Sequence, residues 1–84
     1  MSTQDISLLE NELRSLEWKK NQLESNYSAK TRELLDAGER NKTNGPLLLT
    51  LIRESVAGKA TFEREIEIVN RSITETKRKI ENAK

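Results

Sequence analysis

The segment Gly58-Lys59-Ala60-Thr61 contains residue types that could bind a phosphate, because a glycine, a lysine and a hydroxyl residue end the P-loop of nucleotide-binding proteins. A P-loop also needs an earlier glycine in the same loop and a strand that leads into it. The sequence before Gly58 provides neither. We therefore interpret this segment as part of a helix and predict no phosphate site.

Other groups that commonly carry out catalysis are missing or scattered. The chain has no His and no Cys, which removes the commonest general base, the commonest metal ligand, thiolate sites and disulfides. Without His, the Ser and Thr hydroxyls lack the usual base that activates a nucleophile. The 14 Asp and Glu residues are spread along the chain. We expect no enzymatic activity, no metal, no cofactor and no small-molecule substrate.

The composition favours one narrow helical domain over residues 1–84. With 33% hydrophobic and 35% charged residues, the chain has too few apolar side chains for a thick core. Only three Gly and one Pro occur, and two of these four are adjacent at Gly45 and Pro46. Such a pattern is typical of long helices with a single interruption.

Apolar residues follow two seven-residue repeats on either side of Asn44-Gly45-Pro46, with steps that alternate between three and four. The first repeat consists of Ile6, Leu9, Leu13, Leu16, Lys20, Leu23, Tyr27, Lys30, Leu34 and Ala37. The second consists of Leu48, Ile52, Ser55, Lys59, Phe62, Ile66, Val69, Ile73, Thr76, Ile80 and Ala83. Both patterns are typical of a coiled-coil seam.

Matched seam positions have residue numbers that sum to 89, so the pattern predicts an all-α antiparallel two-helix hairpin, a coiled coil. In this register Tyr27 faces Phe62 and Lys30 faces Lys59, and the long lysine stems allow both ammonium groups to turn outward toward Glu33 and Glu63. The expected bounds are about 3–41 for the first helix, about 42–45 for the turn and about 46–82 for the second helix.

The ends of the two helices carry recognisable signals. A hydroxyl at Ser2 or Thr3 is expected to cap the first helix, and Pro46 suits the first turn of the second. Each arm should be about 55 Å long.

Burial along one seam offsets little of the entropy lost on folding, so we expect self-association or a partner to complete a helical bundle.

Apolar residues outside the seam indicate where a partner could bind. We predict a partner-binding surface formed by the turn-proximal residues and one aromatic residue, namely Leu35, Leu47, Leu49, Leu51, Val56 and Trp18. The alternative is that the leucines only cover the end of the hairpin. Leu8 and Ile68 also lie off the seam and could widen a second contact face.

In shape, the predicted rod is similar to small helical-hairpin chaperones and adaptors of bacterial secretion systems, and to hairpin subunits of eukaryotic coiled-coil complexes. The likeness is one of shape, since no sequence motif accompanies it. It implies a non-enzymatic protein-protein interaction module. Exported helical hairpins with a Trp-x-Gly turn differ, because this turn reads Asn44-Gly45-Pro46 and Trp18 lies within a helix.

Two other functions remain open at this point. The basic stretch Lys77-Arg78-Lys79, with Arg71 and Lys84, could contact phosphates if the protein were a dimeric nucleic-acid-binding hairpin. The net charge of only +1 makes nucleic acid the less favoured partner. A purely structural spacer would need no exposed patch and should remain a monomer.

The longest apolar run, residues 46–49, is too short to span a membrane, and the sequence shows no signal peptide. We expect a cytoplasmic protein.

Overall fold

The computed structural model describes residues 3–84, with side chains from Asp5 onward. It contains helix α1, Thr3–Arg40, and helix α2, Gly45–Ala83, and no strand occurs in the described range. The two helices pack along their length in a rod of 63 × 16 × 11 Å. The protein is therefore an all-α helical hairpin, as its sequence predicted. We call residues 31–56, which surround the turn, the tip, and the opposite end the base.

Asparagine side chains organise both sides of the turn. At the end of α1, the Asn41 side-chain amide donates a hydrogen bond to the Ala37 carbonyl at 2.8 Å. At the start of α2, Asn44 is the N-cap, and its side-chain oxygen accepts a hydrogen bond from the Leu47 amide at 3.1 Å. These contacts satisfy backbone groups that a helix end leaves without partners.

Gly45, which the sequence pattern assigned to the turn, is the first residue of α2. Pro46 lies in the first turn of that helix, where its missing amide hydrogen has no helical partner to lose. The expected capping position Ser2 lies outside the described residues.

Replacing Asn44 with alanine should lower the free energy of unfolding by about 1 kcal/mol, because the Leu47 amide loses its hydrogen-bond acceptor. Urea unfolding followed by circular dichroism measures the change. Asn70→Ala is the matched control, since Asn70 is exposed within α2 and alanine is the better helix former. Equal destabilisation by the two substitutions would contradict the capping role.

An aromatic stack fixes the register between the helices. The rings of Tyr27 and Phe62 lie parallel, 4.3 Å apart between centroids and 7° apart in plane. This contact confirms the predicted pairing of these two residues. It also places the turn at one end of the rod and the start of α1 beside the end of α2.

Burial is concentrated toward the base. Among the described side chains, the four buried ones belong to α2 and are Val69, Ile73, Thr76 and Ile80. The Thr76 hydroxyl donates a hydrogen bond to the Ser72 carbonyl at 2.8 Å, so its burial leaves no unsatisfied donor. The seam residues of α1 opposite them are half-buried.

Near the tip the seam departs from the predicted seven-residue repeat. Ile52, predicted at the seam, is exposed, whereas Leu51 is half-buried in its place. A straight α-helix drifts by about 20° per heptad from a 3.5-residue repeat, and four heptads separate Ile80 from Ile52. The accumulated rotation of about 80° turns Ile52 out of the interface and brings Leu51 in. In α1, Thr31 is likewise half-buried and Lys30 exposed.

The two seam lysines extend into solvent, as their long stems allow. Lys30 lies 3.8 Å from Glu33, and Lys59 lies 4.0 Å from Glu63. These nitrogen-oxygen pairs follow single helices, and all four side chains are largely exposed, so each pair stabilises the fold by only a few tenths of a kcal/mol. The middle of the rod is therefore held mainly by the Tyr27–Phe62 stack.

Candidate protein-binding surface

A groove of about 350 Å³ runs between the two helices at the tip. Leu34, Leu48 and Leu51, which are half-buried, line its floor, and the more exposed Leu35 and Ile52 stand on its two banks. Its lining is therefore mostly apolar, in contrast to the charged surface of the rod. A groove of this shape and polarity suits an apolar helix face.

Gly38 contributes to the width of the groove because it has no side chain. A Cβ atom added to Gly38 would lie 3.9 Å from Leu48 Cδ2, which is an ordinary van der Waals distance. The backbone at Gly38 therefore accepts a Cβ atom, and a longer side chain attached to it would occupy space in the groove. This position allows the groove to be filled without breaking the helix.

Exposed hydrophobic side chains surround the groove. We define the tip patch as Leu35, Leu49, Ile52 and Val56, whose side chains are between 57% and 66% exposed. The last three lie at spacings of three and four along α2, so they share one helix face. The other large exposed hydrophobics of the described chain, Leu8, Trp18 and Ile68, lie outside the tip.

The predicted partner-binding residues fall into three environments. Leu35, Leu49 and Val56 are exposed at the tip. Leu47 and Leu51, which were expected to be off the seam, are half-buried, and Leu51 forms part of the groove floor. The rotation of α2 relative to the heptad pattern explains this correction.

Ile52 is the tip-patch residue that sequence reasoning assigned to the seam. The spacing of Leu51 and Phe62 could have predicted this exchange. They are 11 residues apart, or three full turns of a straight helix, so Leu51 and not Ile52 lies on the same face as Phe62.

Trp18 belongs to a different surface. It is exposed beside Arg14, Ser15 and Lys19, all on α1. Because it is 17 residues from Leu35 along the same helix, the two side chains are separated by about 25 Å. The structure therefore does not bring Trp18 together with the other predicted residues.

Carboxylates accompany much of the basic C-terminal stretch. Arg71 forms an ion pair with Glu67 at 2.7 Å. Arg78 is paired with Glu75. Lys79 lines a shallow depression together with Glu12. These acidic neighbours reduce the positive potential available to a phosphate backbone.

Other kinds of site find no support in the geometry. The described residues include no cluster of three or more acidic side chains that could hold a metal ion. Within residues 3–84, neither helix has an apolar stretch long enough to cross a membrane.

Comparison of the chain with known protein families, curated proteins and solved structures finds no match.

Proposed function

We propose that the protein is a non-enzymatic protein-protein interaction module, a small coiled-coil adaptor or chaperone-like subunit that packs its tip against partner helices. The observation that supports this proposal is the apolar groove at the tip, with exposed hydrophobic residues on both banks. By covering the apolar face of a partner helix, the tip would prevent that helix from aggregating or would fix its position in an assembly.

The physical basis is the burial of apolar surface. A helix with hydrophobic residues at positions i, i+3, i+4 and i+7 presents a ridge that fits between the banks formed by Leu35 and Ile52. Each side chain that loses its contact with water contributes about 25 cal/mol per Å² of apolar area. The nucleic-acid alternative has weaker support, because carboxylates pair with Arg71 and Arg78.

A labelled amphipathic peptide of about 18 residues, or five helical turns, provides a direct probe of the groove. We expect its fluorescence anisotropy to rise when it is titrated with the protein. Gly38→Leu should weaken binding at least about tenfold, equivalent to 1.4 kcal/mol, because the new side chain occupies the groove. The same substitution should preserve or increase helix stability, since leucine is a better helix former than glycine.

Leu8→Ser is the control, because Leu8 is exposed but lies outside the tip. It should leave peptide binding unchanged. The proposal is rejected if the single hairpin, shown to be monomeric under the conditions of the titration, does not bind the peptide at concentrations up to about 1 mM, where a contact worth 4 kcal/mol would be detected. It is also rejected if Gly38→Leu and Leu8→Ser bind the peptide equally well.

A further inference from the structure

We infer that the occupant of the tip groove is a second copy of this chain. In the inferred dimer, two hairpins point in opposite directions and overlap over residues 26–63, which include both tips. A two-fold axis perpendicular to the rods passes between them at the level of Leu35. The four tip segments then form a short four-helix bundle. This inference rests on the proposed function, because it uses the same groove and tip patch.

The exposed surface of the single hairpin is large enough to accommodate such a contact. The chain exposes 6611 Å², whereas a compact monomer of 9.7 kDa exposes about 5,100 Å². The excess is about 1,500 Å², and a standard protein interface removes about 800 Å² from each partner. One tip-to-tip contact therefore fits within the excess.

The tip patch is complementary to itself under a two-fold rotation. Because Leu35 lies level with residue 54 in the hairpin register, the axis places Leu35 against Leu35 of the second copy. The same rotation places Ile52 against Val56 of the second copy and Val56 against its Ile52. Reciprocal contacts of this kind define an isologous interface, which closes after two subunits.

The charges of the tip permit two identical surfaces to meet. The basic residues in this region are Arg32, Arg40, Lys42 and Arg53, and the acidic residues are Glu33, Asp36, Glu39 and Glu54. Their formal charges cancel. The overlap about Leu35 extends beyond the tip and adds Lys30, Lys59 and Glu63, which gives a net charge of +1 per copy. So small a charge produces little of the repulsion that a strongly basic or acidic surface would produce.

Charge also distinguishes this overlap from two hairpins packed side by side over their full length. Glu10, Glu17 and Glu24 repeat every seven residues on α1, in the same row as Thr31 and Gly38, which line the groove. In a full-length pair with both tips at the same end, Glu24 of each copy would lie opposite Glu63 of the other. That layer would contain four carboxylates, which is unfavourable.

The tip overlap avoids this repulsion. Glu24 of each copy stays in solvent, beyond the end of the other hairpin. Glu63 instead lies opposite residue 45 of the second copy, the first residue of its α2. The positive end of a helix dipole is located there and favours a carboxylate.

Light scattering and a matched pair of substitutions test the inferred dimer. The wild-type protein at about 100 μM should have twice the 9.7 kDa chain mass. Ile52→Glu should halve that mass by placing a charge in the interface. Ile68→Glu should not, although Ile68 is the same residue type and is 56% exposed, compared with 58% for Ile52. A monomeric wild type, or an equal effect of both substitutions, overturns the inference.

Disulfide cross-linking tests the position of the axis without disturbing the core. The chain has no Cys, so Leu35→Cys introduces a single thiol, and oxidation by copper phenanthroline should join the two copies. Leu8→Cys is the control, since Leu8 and Leu35 are both 66% exposed. Cross-linking through residue 35 should be at least about tenfold faster, because adjacent thiols have millimolar effective concentrations. Equal rates overturn the proposed axis.

Small-angle X-ray scattering separates the two possible arrangements of a dimer. Tip overlap joins two 63 Å rods over about 27 Å, which gives a maximum dimension on the order of 100 Å. Side-by-side packing keeps the dimension near 63 Å and would overturn the inference.

If the wild type is monomeric but still binds the amphipathic peptide, the second copy is rejected as the occupant while the proposed function stands. If it is monomeric and binds no peptide, both are rejected.

Discussion

Ile73→Ala is expected to lower the free energy of unfolding by about 2–4 kcal/mol, which is enough to unfold much of a protein this small. Ile73 is one of the buried residues near the base, where the two helices pack most closely. Removing three carbon atoms from its side chain loses their burial and leaves a cavity that straight helices cannot close without shifting. Urea unfolding monitored by circular dichroism, at one fixed protein concentration, measures the loss.

Ile68→Ala is the control for this prediction, because Ile68 lies on the same helix and is exposed. It should change the free energy of unfolding by no more than about 0.5 kcal/mol. A similar loss in both variants would contradict the role of burial at the base, because alanine is a better helix former than isoleucine and propensity alone would not lower stability.

Phe62→Ala is expected to cost about 2–3 kcal/mol, somewhat less than the loss of a fully buried phenylalanine, because Phe62 is half-buried. The substitution removes the ring that stacks on Tyr27. Layers between this stack and the tip are weakly packed, since every residue of α2 from 52 to 61 is exposed. Loss of the stack should therefore free the tip from the base and increase amide hydrogen exchange in residues 45–61.

A double-mutant cycle isolates the contribution of the stack from that of general burial. Tyr27→Leu, Phe62→Leu and the double substitution should give a coupling energy of about 0.5–1.5 kcal/mol. Trp18→Ala serves as an aromatic control, because the Trp18 side chain is exposed on the outside of α1. Zero coupling between residues 27 and 62 would contradict the register.

The fold could be predicted from the sequence because the strongest signals act at short range. Alternating steps of three and four define one apolar face of each helix, and Gly45 and Pro46 interrupt the chain only once. The pairing of Tyr27 with Phe62 followed from matched seam positions, whose residue numbers sum to 89, and the aromatic stack confirms it.

The candidate site was predicted less accurately than the fold. The tip was correctly expected to expose apolar residues, including Leu35, Leu49 and Val56. The exchange of Ile52 for Leu51 at the interface was missed, because the seven-residue repeat assumes helices that supercoil around each other. Whether a hairpin supercoils depends on the packing of both helices together, which no single repeat reveals.

The uneven burial along the rod determines how the hairpin responds to mechanical tension. A pull on the two ends of the described chain first loads the layers around Ile80 and Thr76, which are among the most closely packed in the molecule. Among the described side chains, Val69 is the last buried one toward the turn, so rupture that passes Val69 continues to the turn at a lower force. Under tension the hairpin would therefore either remain folded or open completely, instead of extending gradually.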